Sequence, residues 1–384
     1  MIYASKINGF DKTKRQDYVT YLNGSPYNVE LHLYSRSPHI SMVVVGFLML
    51  KNQGSIKLKI ISGCNNVKKY PHPHFVKAII NGKVFAYDCS DSCDWTASDW
   101  EKEKWQNITS IESLMDNVDF YFKRSYSRNR NICLSEVARN KIYPLGFNFH
   151  VTIKNNPLDY PEYFSYDHIK LIIKKLFFPY KLNPYWTIDK FEASANYVNA
   201  ENLRIIFLAR LWDPFGKEVL NDGKRLEREY INTTRIEIIK KLKQSYPDNF
   251  IGGIERSEYA EKNCKELIVS EEITRRANYI ELMKKCDICI GTMGLHESIG
   301  WKTAEYVAAA RALVNEKFHY EVPYSFEPHK NYLPFESTDG CVSAVSSLME
   351  DPEKVFMLKT ENERYYKTYL QPDRQIMNSI ISVL

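Results

Sequence analysis

The clearest chemical signal in this 384-residue chain is a pair of glutamates, Glu297 and Glu305, with seven residues between them. They lie in residues 286–314, CDICIGTMGLHESIGWKTAEYVAAARALV, where an apolar run leads into a glycine-containing loop and a helical pattern starts near Gly300. If the whole stretch were helical, the two residues would be about 12 Å apart along the axis, at roughly 1.5 Å per residue. The pair is therefore too widely spaced to share a proton or a metal ion, but it suits the two ends of an extended ligand.

A nucleotide-sugar is a ligand of this length. Its sugar would meet Glu297, and its ribose hydroxyls would donate hydrogen bonds to Glu305. The diphosphate would lie between them at the start of the helix, where backbone N–H groups and the helix dipole favour an anion. Those N–H groups belong to Ser298, Ile299 and Gly300.

The alternative for a glutamate on a helix is a solvated surface position, and a bare pair at this spacing is a weak signal. Its context strengthens it, because a strand precedes the loop and a small-residue turn and a second strand follow the helix. His296, beside Glu297, is a second candidate catalytic residue that either contacts the sugar or caps the loop. Lys302 either meets phosphate or faces solvent, and we favour solvent.

The elements that must position these residues alternate regularly in the second half of the chain. Strands are predicted at 203–208, 250–251, 287–291 and 312–315, with a further candidate at 267–269, and helices at 225–244, 274–285, 301–310 and 337–349. This spacing predicts βαβ units, a parallel sheet and a Rossmann-like domain. Ligands of such sheets bind at the carboxyl ends of the strands, so chemistry is expected in the loops that follow them.

The first half of the chain predicts strands with mixed connections. They are placed at 28–34, 40–50, 58–62, 76–80, 83–88, 118–122 and 141–145, with Asn81-Gly82 as a hairpin turn. Asp91 follows one of these strands, and Lys123 and Arg124 follow another, so all three are candidate acceptor or cleft residues. The two cations could neutralise an anionic acceptor or a diphosphate; the alternative is a solvated basic turn.

The stretch 286–314 resembles the donor-binding signature of retaining glycosyltransferases with the GT-B fold, whose C-terminal domains are of the family 1 and 4 type. Glu297 and Glu305 match the two glutamates, and AAARALV at 308–314 occupies the place of the small-residue turn and strand. Arg210, after the strand at 203–208, matches the arginine that binds donor phosphates. Lys217 is the nearest candidate for the phosphate lysine, and Gly253 lies at a fitting spacing. The resemblance covers roughly residues 203–350.

This resemblance implies an α/β chain of two Rossmann-like domains facing a central cleft. Residues 1–195 would form the acceptor-side domain, and residues 196–384 the nucleotide-sugar domain, with a C-terminal helix at 352–384 crossing back to the first. The implied activity is transfer of a sugar from a nucleotide-diphosphate donor to a hydroxyl, with retention, in bacterial surface polysaccharide or glycoconjugate synthesis. A nucleotide-sugar epimerase of the same fold and a non-catalytic nucleotide-sugar-binding protein stay open as alternatives.

No metal or cofactor is expected, because no Asp-x-Asp motif follows a predicted strand and because a helix N-terminus with cations can stabilise a leaving diphosphate. The Cys286 and Cys289 pair is predicted to be two buried thiols rather than half of a zinc site. His72 and His74 are metal ligands only as a minor alternative to an extended loop.

The formal charge of +5 is too small to indicate nucleic acid. The aromatic content of 14% suits a core, a sugar site or a membrane-facing surface. Residues 168–186, HIKLIIKKLFFPYKLNPYW, either lie in a membrane interface or pack between the domains. Because the N-terminus shows no apolar signal region, a cytoplasmic protein is expected, with possible peripheral membrane contact and a glycan, lipid-linked or protein acceptor.

Overall fold

The computed structural model describes residues 26–62, 73–93, 95, 108–159, 187–219 and 221–384. The chain divides into two compact α/β units. Unit 1 comprises Met1–Lys190, Glu321–Ser325 and Tyr369–Leu384, and unit 2 comprises Phe191–Tyr320 and Phe326–Thr368. The predicted α/β class is confirmed, and the end of the chain belongs to the first unit. The predicted segment 168–186 lies outside the described residues.

Unit 1 contains a six-stranded sheet in the order β2-β1-β3-β4-β5-β6. Its strands are β1 (Tyr27–Leu33), β2 (Ile56–Ser62), β3 (Phe75–Ile80), β4 (Lys83–Asp88), β5 (Phe120–Lys123) and β6 (Ile142–Pro144). Only β3 runs antiparallel to its neighbours, through the predicted hairpin in which Asn81 and Gly82 have φ angles of 47° and 83°. The carboxyl ends of the other five strands therefore share one edge of the sheet.

The strand predicted at 40–50 is wrong, because this segment is the helix α1 (Ser41–Asn52). A continuous apolar run does not distinguish a buried strand from a buried helix by periodicity. The helix is buried around almost its whole circumference, and a Cβ added to Gly46 would lie 2.5 Å from Ile376 Cγ1. The apolar residues therefore pack a helix between the sheet and the C-terminal helix of unit 1.

The other α-helices in the described part of unit 1 are short. They are α2 (Ile108–Met115), α3 (Glu136–Arg139) and the C-terminal α11 (Pro372–Ile381). Helix α11 packs on α1, and its Ser379 hydroxyl bonds the Tyr87 hydroxyl of β4 at 2.9 Å.

Unit 2 contains a five-stranded sheet, in the order β11-β10-β9-β7-β8, in which every pairing is parallel. Its strands are β7 (Ile205–Ala209), β8 (Phe250–Ile254), β9 (Ile288–Gly291), β10 (Ala312–Glu316) and β11 (Tyr332–Phe335). Read from β7, this is the doubly wound order 2-1-3-4-5, whose switch point lies between the first and third strands. The predicted parallel sheet is confirmed.

Helices connect these strands. They are α4 (Asp222–Ser245), α5 (Glu258–Asn263), α6 (Glu271–Thr274), α7 (Arg276–Lys285), α8 (Trp301–Ala308), α9 (Thr338–Met349) and α10 (Pro352–Tyr365). Helix α4 begins where the Asn221 side chain accepts the Lys224 N–H at 2.8 Å, which satisfies one donor of the first turn. The candidate strand at 267–269 is instead a 3₁₀ turn (Lys265–Leu267) with one bridge from Ile268 to Ile254. Cys286 and Cys289 are both buried, as predicted.

The helix predicted at 352–384 is interrupted, because α10 and α11 are separate helices. A π-helical turn (Tyr366–Leu370) ends the first, and Pro372 begins the second, where a missing N–H costs nothing. Tyr369 stacks on Tyr324 within unit 1, with 4.8 Å between ring centroids. No helix in the described part of the chain is long and apolar enough to cross a membrane.

Candidate functional site

The carboxyl edge of the unit 2 sheet at its switch point is the candidate site. Strand β7 ends there with Arg210 following it, and β9 leads into the loop 292–300 before α8. In open α/β sheets this crevice between two diverging connections is where ligands bind. The sequence-predicted residues Arg210, Glu297 and Glu305 thus belong to elements that begin or end at this edge.

Arg235 of α4 ties the two strand ends together. Its guanidinium donates to the Arg210 carbonyl at 2.7 Å, to the Met293 carbonyl at 3.0 Å and to the Thr292 hydroxyl at 3.0 Å. Burial lowers the pKa of Arg235 to about 10, so it stays charged near neutral pH. This role was not predictable from the sequence, since a helical arginine 25 residues from Arg210 resembles any surface cation.

Buried Glu316, the last residue of β10, fixes the start of the same loop. Its carboxylate accepts the Met293 N–H at 2.9 Å and the Tyr230 hydroxyl at 3.1 Å. A carboxylate that receives a backbone N–H holds that N–H in one orientation, because charge-assisted hydrogen bonds are the stronger ones. The start of the loop 292–300 is therefore held by Glu316 of β10 and by Arg235 of α4.

His296 and Glu297 adopt an unusual backbone conformation, with φ angles of 62° and 56°. Left-handed non-glycine residues cost on the order of 1–3 kcal/mol each. The cost is offset by Glu227 of α4, whose carboxylate accepts both backbone N–H groups, that of His296 at 2.5 Å. Tyr320 donates to the His296 carbonyl at 2.8 Å. The predicted catalytic pair, His296 and Glu297, therefore lies in a strained turn that hydrogen bonds to Glu227 and Tyr320 hold in place.

The Glu297 carboxylate itself lies 3.8 Å from His319 Nδ1 and is about one-third exposed. Burial raises the pKa of Glu227, and the N–H groups that Glu227 accepts oppose that rise. Glu227 and His319 were not predicted, because nothing in their local sequence links them to Glu297. The catalytic roles of His296 and Glu297 stay predictions.

The start of α8 differs from the predicted anion cradle in one respect. The Ser298 N–H donates to the Leu295 carbonyl at 3.2 Å, and the Ser298 carbonyl accepts the Gly294 N–H at 2.8 Å. Gly300 is the N-cap residue, and its carbonyl accepts the Thr303 N–H. The Ser298 N–H is therefore engaged within the loop, whereas donor contact by Ile299 and Gly300 stays a prediction.

Glu305 forms a bidentate ion pair with Arg276, the first residue of α7. The two Nη–Oε distances are 3.1 and 2.5 Å, and the Glu305 side chain is only 1% exposed. The Arg276 guanidinium also lies 5.2 Å from the Phe191 ring centroid. Each carboxylate oxygen keeps a second lone pair, so the pair leaves acceptor capacity for a ribose hydroxyl. The ribose role of Glu305 stays a prediction.

A cavity of about 150 Å³ opens beside this ion pair, at the carboxyl ends of β7 and β8. Seven residues line it: Leu208, Ala209, Glu255, Thr274, Arg276, Tyr279 and Lys302. Lys302 donates to the Leu208 carbonyl, and its ammonium lies 4.9 Å from the Tyr279 ring centroid. Burial lowers the pKa of Lys302 to about 8. The expectation that Lys302 faces solvent is wrong, because its ammonium is held inside the cavity wall.

The remaining donor-site predictions are placed as follows. Arg210 is exposed and stacks on Trp212, with its guanidinium carbon 3.8 Å from the ring centroid. Lys217 is exposed in the loop after β7. Gly253 is buried in β8, and a Cβ there would lie 2.6 Å from the Leu267 carbonyl oxygen. Close packing thus explains Gly253, and donor contact by all three predicted residues stays untested.

The carboxyl edge of the unit 1 sheet holds the predicted acceptor residues as ion pairs. Lys123 lies 3.0 Å from Asp88, and both side chains are fully buried. Arg124 pairs with the partly exposed Asp91. Each cation is therefore compensated by its own carboxylate, so the predicted basic patch is electrically neutral. The acceptor or cleft roles of Lys123, Arg124 and Asp91 stay predictions.

Two histidines join this edge: His39, which the sequence did not select, and His74, which it offered only as a minor candidate metal ligand. His39, after β1, lies 3.8 Å from Asp91, and its ring centroid is 4.1 Å from that of His74. The Ser37 hydroxyl bonds His74 Nδ1 at 2.6 Å. Burial, His74 and Arg124 lower the pKa of His39 to about 3, so His39 is neutral at physiological pH. Among the described side chains, no group of three or more His, Cys, Asp or Glu residues is placed to hold a metal ion.

No protein-family model matches the chain, and no curated protein matches it. Solved structures do show similarity. HepE from Anabaena in complex with UDP is 11% identical, with 90% of this chain and 96% of that chain covered and a TM-score of 0.41. UDP-GlcNAc 2-epimerase from Neisseria meningitidis bound to UDP-GlcNAc is 14% identical over 76% of this chain and 67% of that chain, with a TM-score of 0.34. The C-terminal domain of the group 1 glycosyl transferase LpcC from Francisella tularensis is 12% identical, covering 48% of this chain and 97% of that domain at a TM-score of 0.32.

Proposed function

We propose that this chain is a glycosyltransferase that moves a sugar from a nucleotide-diphosphate donor to a hydroxyl acceptor. One observation carries the proposal: the switch point of a doubly wound sheet brings Arg210, the strained Glu297 turn and the Glu305 helix to one edge beside a cavity. This edge offers what a long, doubly charged ligand needs, which is an exposed cation, a helix N-terminus and carboxylates at two separate places.

In this proposal, Glu305 accepts hydrogen bonds from the ribose, and Arg210 binds the diphosphate together with the N-terminus of α8. Lys217 would bind the diphosphate only when the loop after β7 contacts the ligand. Glu297 and His296 contact the sugar from their fixed turn. The stabilised diphosphate is the better leaving group, because fixed positive charge near a departing oxyanion lowers the barrier to its departure.

We further propose that transfer proceeds with retention. The bond between the anomeric carbon and the phosphate oxygen breaks, and the acceptor oxygen bonds to that carbon on the same face. The acceptor proton passes to the departing phosphate oxygen. The acceptor is a glycan, a lipid-linked glycan or a protein, and a bacterial surface polysaccharide or glycoconjugate is the product. The neutral edge of unit 1, with Asp91 partly exposed, suits an uncharged hydroxyl better than an anion.

The first experiment is a thermal-shift panel of UDP-, GDP-, TDP- and CMP-sugars, followed by assays of donor hydrolysis and transfer. Glu297→Gln should abolish transfer with little loss of stability, because its side chain is 38% exposed and glutamine keeps its size and one acceptor oxygen. Glu201→Gln, at an exposed position of unit 2, is the matched control and should keep full activity.

Three results would decide against the proposal. Full transfer by Glu297→Gln would remove Glu297 from the site. An epimer appearing by NMR when the protein is incubated with donor alone would identify an epimerase, and no shift with any nucleotide-sugar would reject nucleotide-sugar chemistry altogether.

A further inference from the structure

Lys302 stands out among the cations at the carboxyl edge of unit 2. Arg276 has Glu305 as its partner, Arg210 stacks on Trp212, and Arg235 is bonded to two carbonyls and a hydroxyl. Lys302 donates to the Leu208 carbonyl and, within the described part of the chain, forms no ion pair. It is therefore a cation without a carboxylate of its own, in the wall of a cavity.

Two nearby carboxylates partly compensate the charge of Lys302 but, among the described residues, form no ion pair with it. Glu305 and Glu255 favour its protonated form, whereas Arg235 and Arg276 oppose it. Burial then dominates and lowers the pKa of Lys302 to about 8. Buried charges in proteins are normally paired, because an ammonium removed from water loses hydration that only a close anion or several hydrogen bonds can replace.

The position of Lys302 in its helix also favours an anion beside it. It is the second residue of α8 (Trp301–Ala308), where the helix dipole is positive and a cation is unfavourable. An ammonium has three N–H donors, and the Leu208 carbonyl takes one of them. The dipole, the ammonium and the adjacent Arg276 guanidinium, which also pairs with Glu305, favour an anion in the cavity, whereas Glu255 in the same lining opposes one.

We propose that Lys302 is the anion-binding cation of this cavity and that it binds a phosphoryl oxygen of the ligand. A phosphoryl group offers enough oxygens to accept from Lys302 and from Arg276 together. Where the phosphoryl group belongs to a nucleotide donor, the inference rests on the proposed function and assigns the phosphate lysine to Lys302 instead of Lys217. A free phosphate or pyrophosphate would use the same contact.

Labelling with pyridoxal 5′-phosphate tests the proposal without any activity assay. The aldehyde of this probe forms an imine with an unprotonated amine and releases water, and borohydride then reduces the imine to a stable product. At pH 8, a lysine with a pKa near 8 is about half unprotonated, whereas one near 10.4 is about 0.4% unprotonated. Peptide mass spectrometry should therefore find Lys302 labelled at least tenfold faster than the exposed Lys217.

Labelling in the presence of pyrophosphate or UDP identifies the source of the phosphate. Pyrophosphate and UDP should each slow Lys302 labelling at least fivefold and leave the labelling of the exposed Lys285, which has no role in the proposed site, unchanged. Protection by pyrophosphate but not by UDP would keep the phosphate site and count against the proposed function. If neither compound protects Lys302, or if Lys302 is labelled no faster than Lys217, the inference is overturned.

Binding by matched variants gives a second, non-covalent measurement. Lys302→Met keeps the aliphatic stem and removes a half-buried charge, so it should fold with little loss of stability. Calorimetric titration should show at least tenfold weaker binding of pyrophosphate and UDP by Lys302→Met than by Lys217→Met. Binding by Lys302→Met within twofold of the wild-type chain, or no binding of either compound to the wild-type chain, refutes the assignment.

Discussion

The Arg276–Glu305 ion pair gives the sharpest prediction about stability. Arg276→Met would leave the Glu305 carboxylate, which is 1% exposed, without its guanidinium. Removing one partner of a buried pair costs about 3–5 kcal/mol, and the 34% exposure of the Arg276 side chain favours the lower end of that range. At about 2–4 °C per kcal/mol for a domain of 150–250 residues, a loss near 3 kcal/mol lowers Tm by about 6–12 °C.

Scanning calorimetry of four chains measures this effect: wild type, Arg276→Met, Glu305→Leu and the double variant. The double variant should be more stable than Arg276→Met, because no unpaired buried charge remains in it. The coupling energy of the cycle should be about 2 kcal/mol or more, within the range for contacting residues. Arg275→Met, at the exposed neighbouring position, is the control and should shift Tm by less than 2 °C. A Tm for Arg276→Met equal to that of the control would refute the reasoning.

Three further predictions concern unit 1. Lys123→Met should lower the free energy of unfolding by about 3–5 kcal/mol in urea titrations, because the buried Asp88 carboxylate would lose its ammonium partner; an effect below 1 kcal/mol contradicts this. His39 has a pKa of about 3 when folded and about 6.5 when unfolded, so stability should fall as pH drops from 6.5 towards 3, by about 1.4 kcal/mol per pH unit. His39→Gln should remove that part of the pH slope, and an unchanged slope would show that His39 is protonated in the folded state. Gly46→Ala should cost about 1–3 kcal/mol, because its Cβ would overlap Pro372 and Ile376; a variant as stable as wild type would mean that α1 and α11 separate easily.

The elements that the sequence predicted well are those with an unambiguous local signal. Asn81-Gly82 requires two positive φ angles, which only a few residue pairs adopt readily, so the hairpin was predictable from two letters. The alternation of strands and helices after residue 203 likewise depends on local periodicity. The apolar run at 40–50 carried no such signal, because a helix buried on all sides has no polar face to mark its period.

The residues of the candidate site likewise divide into those with a local sequence signal and those without one. Glu297, Glu305 and Arg210 were selected because they stand beside predicted strand ends and helix starts. Glu227, Arg235 and Glu316, which hold the loop in place, were missed because each lies on an element distant in sequence. Their roles follow from the strand order, which places β7 between β8 and β9 and was not readable from spacing.

The sequence by itself determined the α/β class, the parallel sheet of the second half and the loops at which chemistry is expected, because backbone periodicity and turn residues act over short distances. Only the tertiary structure decided which charges are compensated. Glu305 meets Arg276 across 29 residues, and Lys123 meets Asp88 across 35, so neither pair has a local signature. The packing of distant elements decides which interior charges are paired. Among the described residues, that packing leaves Lys302 facing the cavity without an ion-pair partner.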